Sequence, residues 1–487
     1  MKNNTLPASW ELVRFGDVAY IKNGFAFPSK DFLTSGVVPL IKQSQLDGDT
    51  VRLDKCVYLD ERVLESHKSF VLQKGDVLIG MSGSIGKLCI YDLDKPAMQN
   101  QRTGKVVARN LEVIDKEIFW LYLQTIENQL KKKGKGIGVA NVSGGDIEDL
   151  PFALPPLAEQ RRIVAQLNAT MQRLKDSQER IEKLPELLKK FRQAVLAAAV
   201  LGKLTEAWRA EHSKTEISKS IQGIANYIEF NSSSTDIPAS WFRTSLGALV
   251  QAGPQNGLYK PQTDYGTGSI ILRIDNFYEG AVNAWNTLKR VRVDDKEASL
   301  YGLNNDDIVI NRVNSMSHLG KSALIRSLPE PCVFESNMMR ITLNRGLAEP
   351  EFIIHFLSSV IGLAELRKNA KQAVNQASIN QTDVKGVAVS LPPLIEQQEI
   401  VRQVNHYFSL ADQLETRFDL AAAMVEQLPQ ALLAKAFSGQ LVPQDPNDEP
   451  ASALLERLRA PQATSEAPTK SKPGRKPKAP AQAPLFD

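Results

Sequence analysis

LPPLAEQRRIVAQL, residues 154–167, and LPPLIEQQEIVRQV, residues 391–404, are nearly the same sentence written twice, 237 residues apart. The spacing persists downstream, where AVLGKL (199–204) is answered by AFSGQL (436–441). Upstream, Asp146-Ile147 answers Asp383-Val384, and Asn100 is aligned with Asn337. Near the start of each half the offset falls to 231, with Pro7-Ala8-Ser9-Trp10 matching Pro238-Ala239-Ser240-Trp241 and Asp76 matching Asp307. The second half must therefore hold six more residues within its intervening segments. An internal repeat of this length dictates two similar architectural blocks.

Each repeated motif opens a helical stretch. Steps of four and three from Ile163 reach Leu167, Thr170, Leu174, Ser177, Ile181, Leu184, Leu188, Phe191 and Val195; the second series runs from Ile400 to Leu432 and is apolar throughout. That alternation is the seam of a coiled coil. Pro155-Pro156 and Pro392-Pro393 suit helix starts, with Glu159 and Glu396 near the positive dipole end. Gly202 and Gly439 suit the stops, and Pro185 and Pro429 should kink or break the helices. From Ile163 to Val195 such a helix would be roughly 50 Å long, at about 1.5 Å per residue. Amphipathic helices packed on their own domains would leave a similar pattern, but regularity in both copies favours a shared seam.

The blocks before the helices read as mixed α/β. GDVLIG (75–80) and DDIVIN (306–311) look like short buried strands, and the stretches beginning at Glu117 and Glu351 look like apolar helices. The expected fold class is α+β: two globular α/β domains separated by two long helices that pair as an antiparallel coiled coil. The boundaries expected are 1–153 for the first domain, 154–205 for the central helix and 206–236 for a linker. The second domain follows at 237–390, then the C-terminal helix at 391–445 and a disordered Pro/Ala-rich basic tail at 446–487.

With 487 residues, 43% hydrophobic and 7% aromatic, the chain has the composition of a multidomain globular protein. No apolar run is long enough for a signal peptide or a membrane span, so a cytoplasmic, membrane-free protein is expected. Its three cysteines, Cys56, Cys89 and Cys332, do not make a disulfide framework. The net charge of +4 sits entirely in the tail from Arg459, and the body before it is neutral. Nucleic-acid binding would therefore need local patches or a partner that shares the phosphate contacts.

Motifs for chemistry fail on inspection. Gly86-Lys87 and Gly320-Lys321-Ser322 imitate a phosphate loop, but Met81 and Ser315 stand where its first glycine must be. LPPL is superficially similar to the methyltransferase loop that holds a target amine, yet it lacks both the polar residue and the aromatic. The histidines (67, 212, 318, 355, 406) have no ligand spacing, and no nucleophile–base set stands out. No catalytic residue, metal or cofactor is expected in this chain. What recurs instead is cationic and amide side chains at matched places. Lys42 and Gln45 answer Arg273 and Asn276, Lys87 answers Lys321, and Arg102 falls close to Arg340. Such side chains read guanine and adenine edges, so these eight are the candidate DNA-binding residues. KKKGKG from Lys131 is a candidate phosphate-facing run.

The paired LPPLxEQ motifs, the AVLGKL and AFSGQL stops, the Pro-Ala-Ser-Trp openings and the GSIGK and HLGK loops resemble the specificity subunit of type I restriction–modification systems. The resemblance covers nearly the whole chain. It implies that each globular block is a target recognition domain for half of a split double-stranded DNA site. It also implies that the helices set the spacing between the halves and dock two methyltransferase subunits, with restriction/translocase subunits joining the complex. S-adenosylmethionine, ATP and magnesium would belong to those partners. The alternative is a non-enzymatic coiled-coil scaffold joining two protein-binding domains.

Overall fold

A computed structural model describes residues 6–48, 50–82, 85–133, 141–212, 237–282, 284–373 and 376–459. The chain divides into two units: residues 1–178 with 423–487, and residues 179–422. Both boundaries fall within long helices rather than between the repeats.

In the first unit the buried run Val77–Gly80 becomes an inner strand because every side of it is apolar. It pairs antiparallel with Leu88–Ile90 on one edge and Thr103–Ala108 on the other, and Ala19–Asn23 completes the sheet. A second sheet orders Val57–Leu59, Val38–Ile41, Ala97–Gln99 and Val71–Leu72, with a parallel pairing between Val38–Ile41 and Ala97–Gln99. Helix Lys116–Lys133 covers the core, where Phe15, Phe119, Tyr122 and Phe152 meet ring to ring.

The second unit repeats this plan. Ile308–Asn311 lies between Met338–Leu343 and Ser322–Leu324, and Val250–Asn256 flanks them. Tyr265–Leu272 pairs parallel with Cys332–Phe334. The hairpin Phe277–Tyr278/Gly280–Val282 extends the larger sheet, whereas its first-unit equivalent is a single bridge, Leu46 to Val51. The expected second apolar helix is broken at Ser359 into Pro350–Ser358 and Val360–Arg367, with the Ser359 hydroxyl accepting from Gly362 N–H at 3.0 Å.

The structure also locates the six extra residues. Gly80 matches Asn311, at an offset of 231, because each closes its hairpin on the glycine–lysine turn. Across that turn Gly86 matches Gly320, at 234; Thr103 then matches Met338, at 235, and Val142 matches Ile379, at 237. This corrects two sequence alignments. Asn100 matches Glu335, not Asn337, since their N–H groups bond Ile41 O and Leu272 O, each at 3.0 Å. Lys105, not Arg102, occupies the place of Arg340: they lie opposite Leu78 and Val309.

The repeated motifs converge on one kind of joint, assembled once in each unit. Gln160 is fully buried; its oxygen accepts from Asp115 N–H at 2.8 Å, and its amide donates to Pro155 O at 2.9 Å and Val113 O at 3.3 Å. Gln397 does the same with Glu349 N–H (2.7 Å), Pro392 O (2.8 Å) and Leu347 O (3.1 Å). The preceding Glu159 accepts from Trp10 Nε1 at 2.8 Å and from the Gln444 amide. Glu396 accepts from Thr205 Oγ1 at 2.7 Å and from Arg209. Gly439 turns the chain at φ +72 beneath Pro7, and Gly202 at φ +72 beneath Pro238 and Trp241. Each joint thus takes its Trp and Glu-Gln from one repeat and its glycine stop from the other.

The break expected at Pro185 is present, and several other expectations change. The central helix is two helices, Leu157–Glu182 and Leu184–Val200, with Pro185 in the first turn of the second, where its missing N–H costs nothing. Pro429 lies inside the continuous helix Leu394–Ala436 and does not break it. The linker expected from 206 begins with a helix, Glu206–Glu211, whose Arg209 holds Glu396. The tail expected to be disordered from 446 includes helix Ala451–Arg459, whose Ala451 and Leu455 join the first unit's core. Residues 213–236 and 460–487 lie outside the described residues.

Candidate nucleic-acid interface

The parallel strand pair of each unit ends in a polar turn, and the turn is built the same way twice. Lys42 N–H donates to the Gln45 side-chain oxygen at 3.2 Å, and Arg273 N–H donates to Asn276 Oδ1 at 2.9 Å. The candidate amides therefore spend their oxygens on shaping the turn, and Gln45 is only 4% exposed. A bidentate adenine contact would use that oxygen, which in both units already accepts from the turn. The cations at the head of the turn are held differently in the two units. Lys42 holds its ammonium 4.2 Å from the centre of the Phe32 ring. Arg273 is held by Glu335, Nε to Oε2 at 3.2 Å, and the other Glu335 oxygen accepts from Ile274 N–H at 2.7 Å.

The glycine–lysine loops are hairpin turns. Gly86 and Gly320 adopt φ +78 and +76, and their N–H groups bond Gly80 O at 3.0 Å and Asn311 O at 2.9 Å. Those donors are consumed internally, so they cannot cradle a phosphate as a P-loop does. Each hairpin brings its lysine to the polar turn. Lys87 Nζ lies 3.8 Å from Asp47, and Lys321 Nζ lies 3.4 Å from the centre of the Tyr278 ring. Asp47 and Tyr278 are equivalent positions. Lys87 is exposed, whereas burial holds the Lys321 ammonium below the ordinary lysine range.

The structure therefore gathers six of the eight candidates into two matched clusters, Lys42–Gln45–Lys87 and Arg273–Asn276–Lys321. Arg102 sits on an exposed turn one residue beyond Gln101, beside the first cluster, because Asn100 N–H bonds Ile41 O next to Lys42. Arg340 does not join the second. Its guanidinium is taken by Gln255 and by Gly302 O, and it packs 5.7 Å from the Phe334 ring centre. Its counterpart Lys105 is similarly occupied by Asp76 at 3.1 Å. Both belong to the sheet. The side chains of the Lys131 run lie outside the described residues.

Sequence reasoning missed Glu335 and Arg312. Arg312 N–H bonds Asn337 O at 2.9 Å, where the first unit has the buried Met81 bonding Arg102 O at 3.1 Å. Correct strand register would have found both. Among the described residues no group of His, Cys, Asp or Glu could hold a metal ion, and no helix is long and apolar enough to cross a membrane.

Comparison with known proteins agrees with this duplicated plan. The family model of the type I restriction modification DNA specificity domain matches residues 7–186 and 260–418, well over half of the chain. The chain is 28% identical over 490 residues to the type I restriction enzyme StySPI specificity subunit of Salmonella potsdam, covering 96% of this chain and 98% of that one. It is 29% identical over 469 residues to the EcoBI specificity subunit of Escherichia coli, covering 94% and 93%. Its fold is like that of the HsdS subunit from Thermoanaerobacter tengcongensis, with TM-score 0.57 at 21% identity over 90% of this chain and 98% of that one. Two matched recognition blocks on a repeated helical frame, with the family model on both, identify the chain as a member of the type I restriction–modification DNA specificity family.

Proposed function

We propose that the chain is the DNA-reading subunit of a type I restriction–modification complex, recognising a split, asymmetric site with one half read by each target recognition domain. The observation that carries this is the pair of matched clusters: the turns are built alike, but the exposed groups differ. Lys42 and Asp47 in one unit stand where Arg273 and Tyr278 stand in the other, and Lys87 is exposed where Lys321 is partly buried. Like frames with unlike surfaces suit two readers of different sequences.

In this reading the long helices pair antiparallel, set the gap between half-sites and dock two methyltransferase subunits. Support comes from the order in which helix ends share cores. Ile163 and Leu167, at the start of the first helix, share a core with Leu433 and Ala436, at the end of the last. Val195 and Val200, at the end of the first, share a core with Ile400 and Val404. Phe191 and Tyr407 meet at 6.3 Å between ring centres. S-adenosylmethionine would be bound by the methyltransferase partners, and ATP with magnesium by restriction/translocase partners. This chain would supply neither methyl transfer nor cleavage.

The test is to express the chain with its methyltransferase partner and map methylated adenines. A fixed two-part motif is expected. Four residues inserted after Gln178, on an exposed helical stretch, would add about 6 Å of helix at about 1.5 Å per residue. With base pairs about 3.4 Å apart, the gap should lengthen by about one or two base pairs while both half-sites stay the same. An unchanged gap would show that the helices do not set it, and methylation without a fixed motif would overturn the reading itself.

A further inference from the structure

We infer that Arg273 and Glu335 form a guanine-reading pair, so that the half-site read by the second domain contains an obligatory guanine; this rests on the DNA-reading function proposed above. The argument is one of donor accounting. A guanidinium has three nitrogens, and reading guanine end-on through O6 and N7 uses the two terminal ones. Glu335 takes only the inner nitrogen, Nε, at 3.2 Å. Among the described residues neither terminal nitrogen of Arg273 has a hydrogen-bond partner, and neither is among the buried atoms left unpaired. The side chain is 30% exposed, whereas that of Glu335 is 11% exposed.

Glu335 is itself fixed. It follows strand Cys332–Phe334, its N–H bonds Leu272 O at 3.0 Å, and its second oxygen accepts from Ile274 N–H at 2.7 Å. The backbone of Arg273 is pinned as well, through Asn276 Oδ1 at 2.9 Å. An arginine whose stem and inner nitrogen are held loses little freedom when its fork engages a flat, two-acceptor edge. The carboxylate also repels a phosphate from the same spot, which favours a base edge over the DNA backbone. The first domain lacks the device: Lys42 replaces the arginine, Asn100 replaces the carboxylate, and the ammonium rests on Phe32. A lysine there carries its three donors on one swivelling nitrogen, without the planar fork that is pre-organised for guanine's pair.

Glu335 is thus a positioning residue and Arg273 the contacting one. The experiment uses the full chain with its methyltransferase partner. Methylated sites are mapped for the wild type and for Arg273→Lys, Glu335→Gln and Glu335→Asp, and binding is measured on duplexes with 7-deazaguanine at each guanine of the half-site that Arg273→Lys alters. The wild type should show one invariant guanine there, and removing its N7 should weaken wild-type binding roughly tenfold. Arg273→Lys, which lacks the planar fork, should be less sensitive to that removal. Glu335→Gln should accept other bases at that position alone, with the rest of the motif kept, and Glu335→Asp should restore part of the preference. Relaxation spread over the whole half-site, or an unchanged preference in Glu335→Gln, would reduce the pair to a fold contact and overturn the inference. A fixed motif with no invariant guanine in that half-site would overturn the Arg273 assignment and leave two-domain recognition standing, whereas the absence of any fixed motif would overturn both.

Discussion

The two units are most alike where they are least exposed. Gln160 and Gln397 make the same three hydrogen bonds from equivalent positions, and Gly202 and Gly439 share a φ of +72 under equivalent prolines. At the polar turns the units differ in nearly every exposed group. The difference teaches that the glutamine and glycine contacts are held by satisfaction of buried polar atoms, while the rest of the joint varies: Trp10 donates to Glu159, whereas the equivalent Trp241 Nε1 has no partner among the described residues. The turns answer only to whatever they contact.

The comparison breaks most severely at the glutamines. Gln160→Leu or Gln397→Leu would strand one buried N–H and two carbonyls, and a loss of about 3–5 kcal/mol is expected, at about 1–3 kcal/mol per unsatisfied group. Chemical denaturation followed by hydrogen exchange should show the loss confined to sheet amides of the mutated unit. Equal loss from Gln→Ala and from a surface Gln on the same helix would refute this. Next come the glycines. Alanine at 202 or 439 must adopt a left-handed backbone and push its Cβ into a proline ring, so a loss of about 2–3 kcal/mol is expected. Each change should act on the unit containing that proline, although the glycine comes from the other repeat.

The pH responses should have opposite signs. In the second unit burial pushes the His355 imidazole down to about 4 from 6.5. Below 6.5 the unfolded chain takes the proton more readily, so stability should fall on acidification, by about 2 kcal/mol between pH 6.5 and 5 at about 1.4 kcal/mol per unit. His355→Phe should flatten that slope. In the first unit burial raises the Glu159 carboxyl above its usual 4.5, against the opposing bonds from Trp10 and Gln444. There the folded state keeps the proton longer, so stability should fall as pH rises from 4.5, and Glu159→Gln should remove the trend. Exchange rates resolved by unit across a pH series would separate them; parallel slopes would contradict the assignment.

The smallest effect concerns Arg192, which bonds Asp412 at 2.6 Å and Glu415 at 2.9 Å. The equivalent position in the other repeat is Pro429. Arg192→Ala should cost about 1 kcal/mol, because both carboxylates are largely solvated, and it should leave the first unit untouched. A shift of both units would point to a coupling that the pairwise contacts do not contain.

The sequence by itself determined the duplication, the mixed blocks, the helices and their stops, because periodicity and near-identical motifs are local properties that survive without coordinates. The lysines and arginines of the polar turns were legible for the same reason, since their spacing from a buried strand is fixed. Tertiary structure decided what those residues are free to do. The oxygens of Gln45 and Asn276 close a turn, and the Arg340 guanidinium is engaged by Gln255 and Gly302, neither of which spacing could show. Glu335 was invisible because six extra residues, spread over three loops, shifted the alignment by two positions exactly where it mattered for Arg273. Only the folded chain showed that each joint is built from both repeats. Linear order cannot express that exchange, because buried hydrogen bonds are satisfied by whichever segment is near in space, not near in sequence.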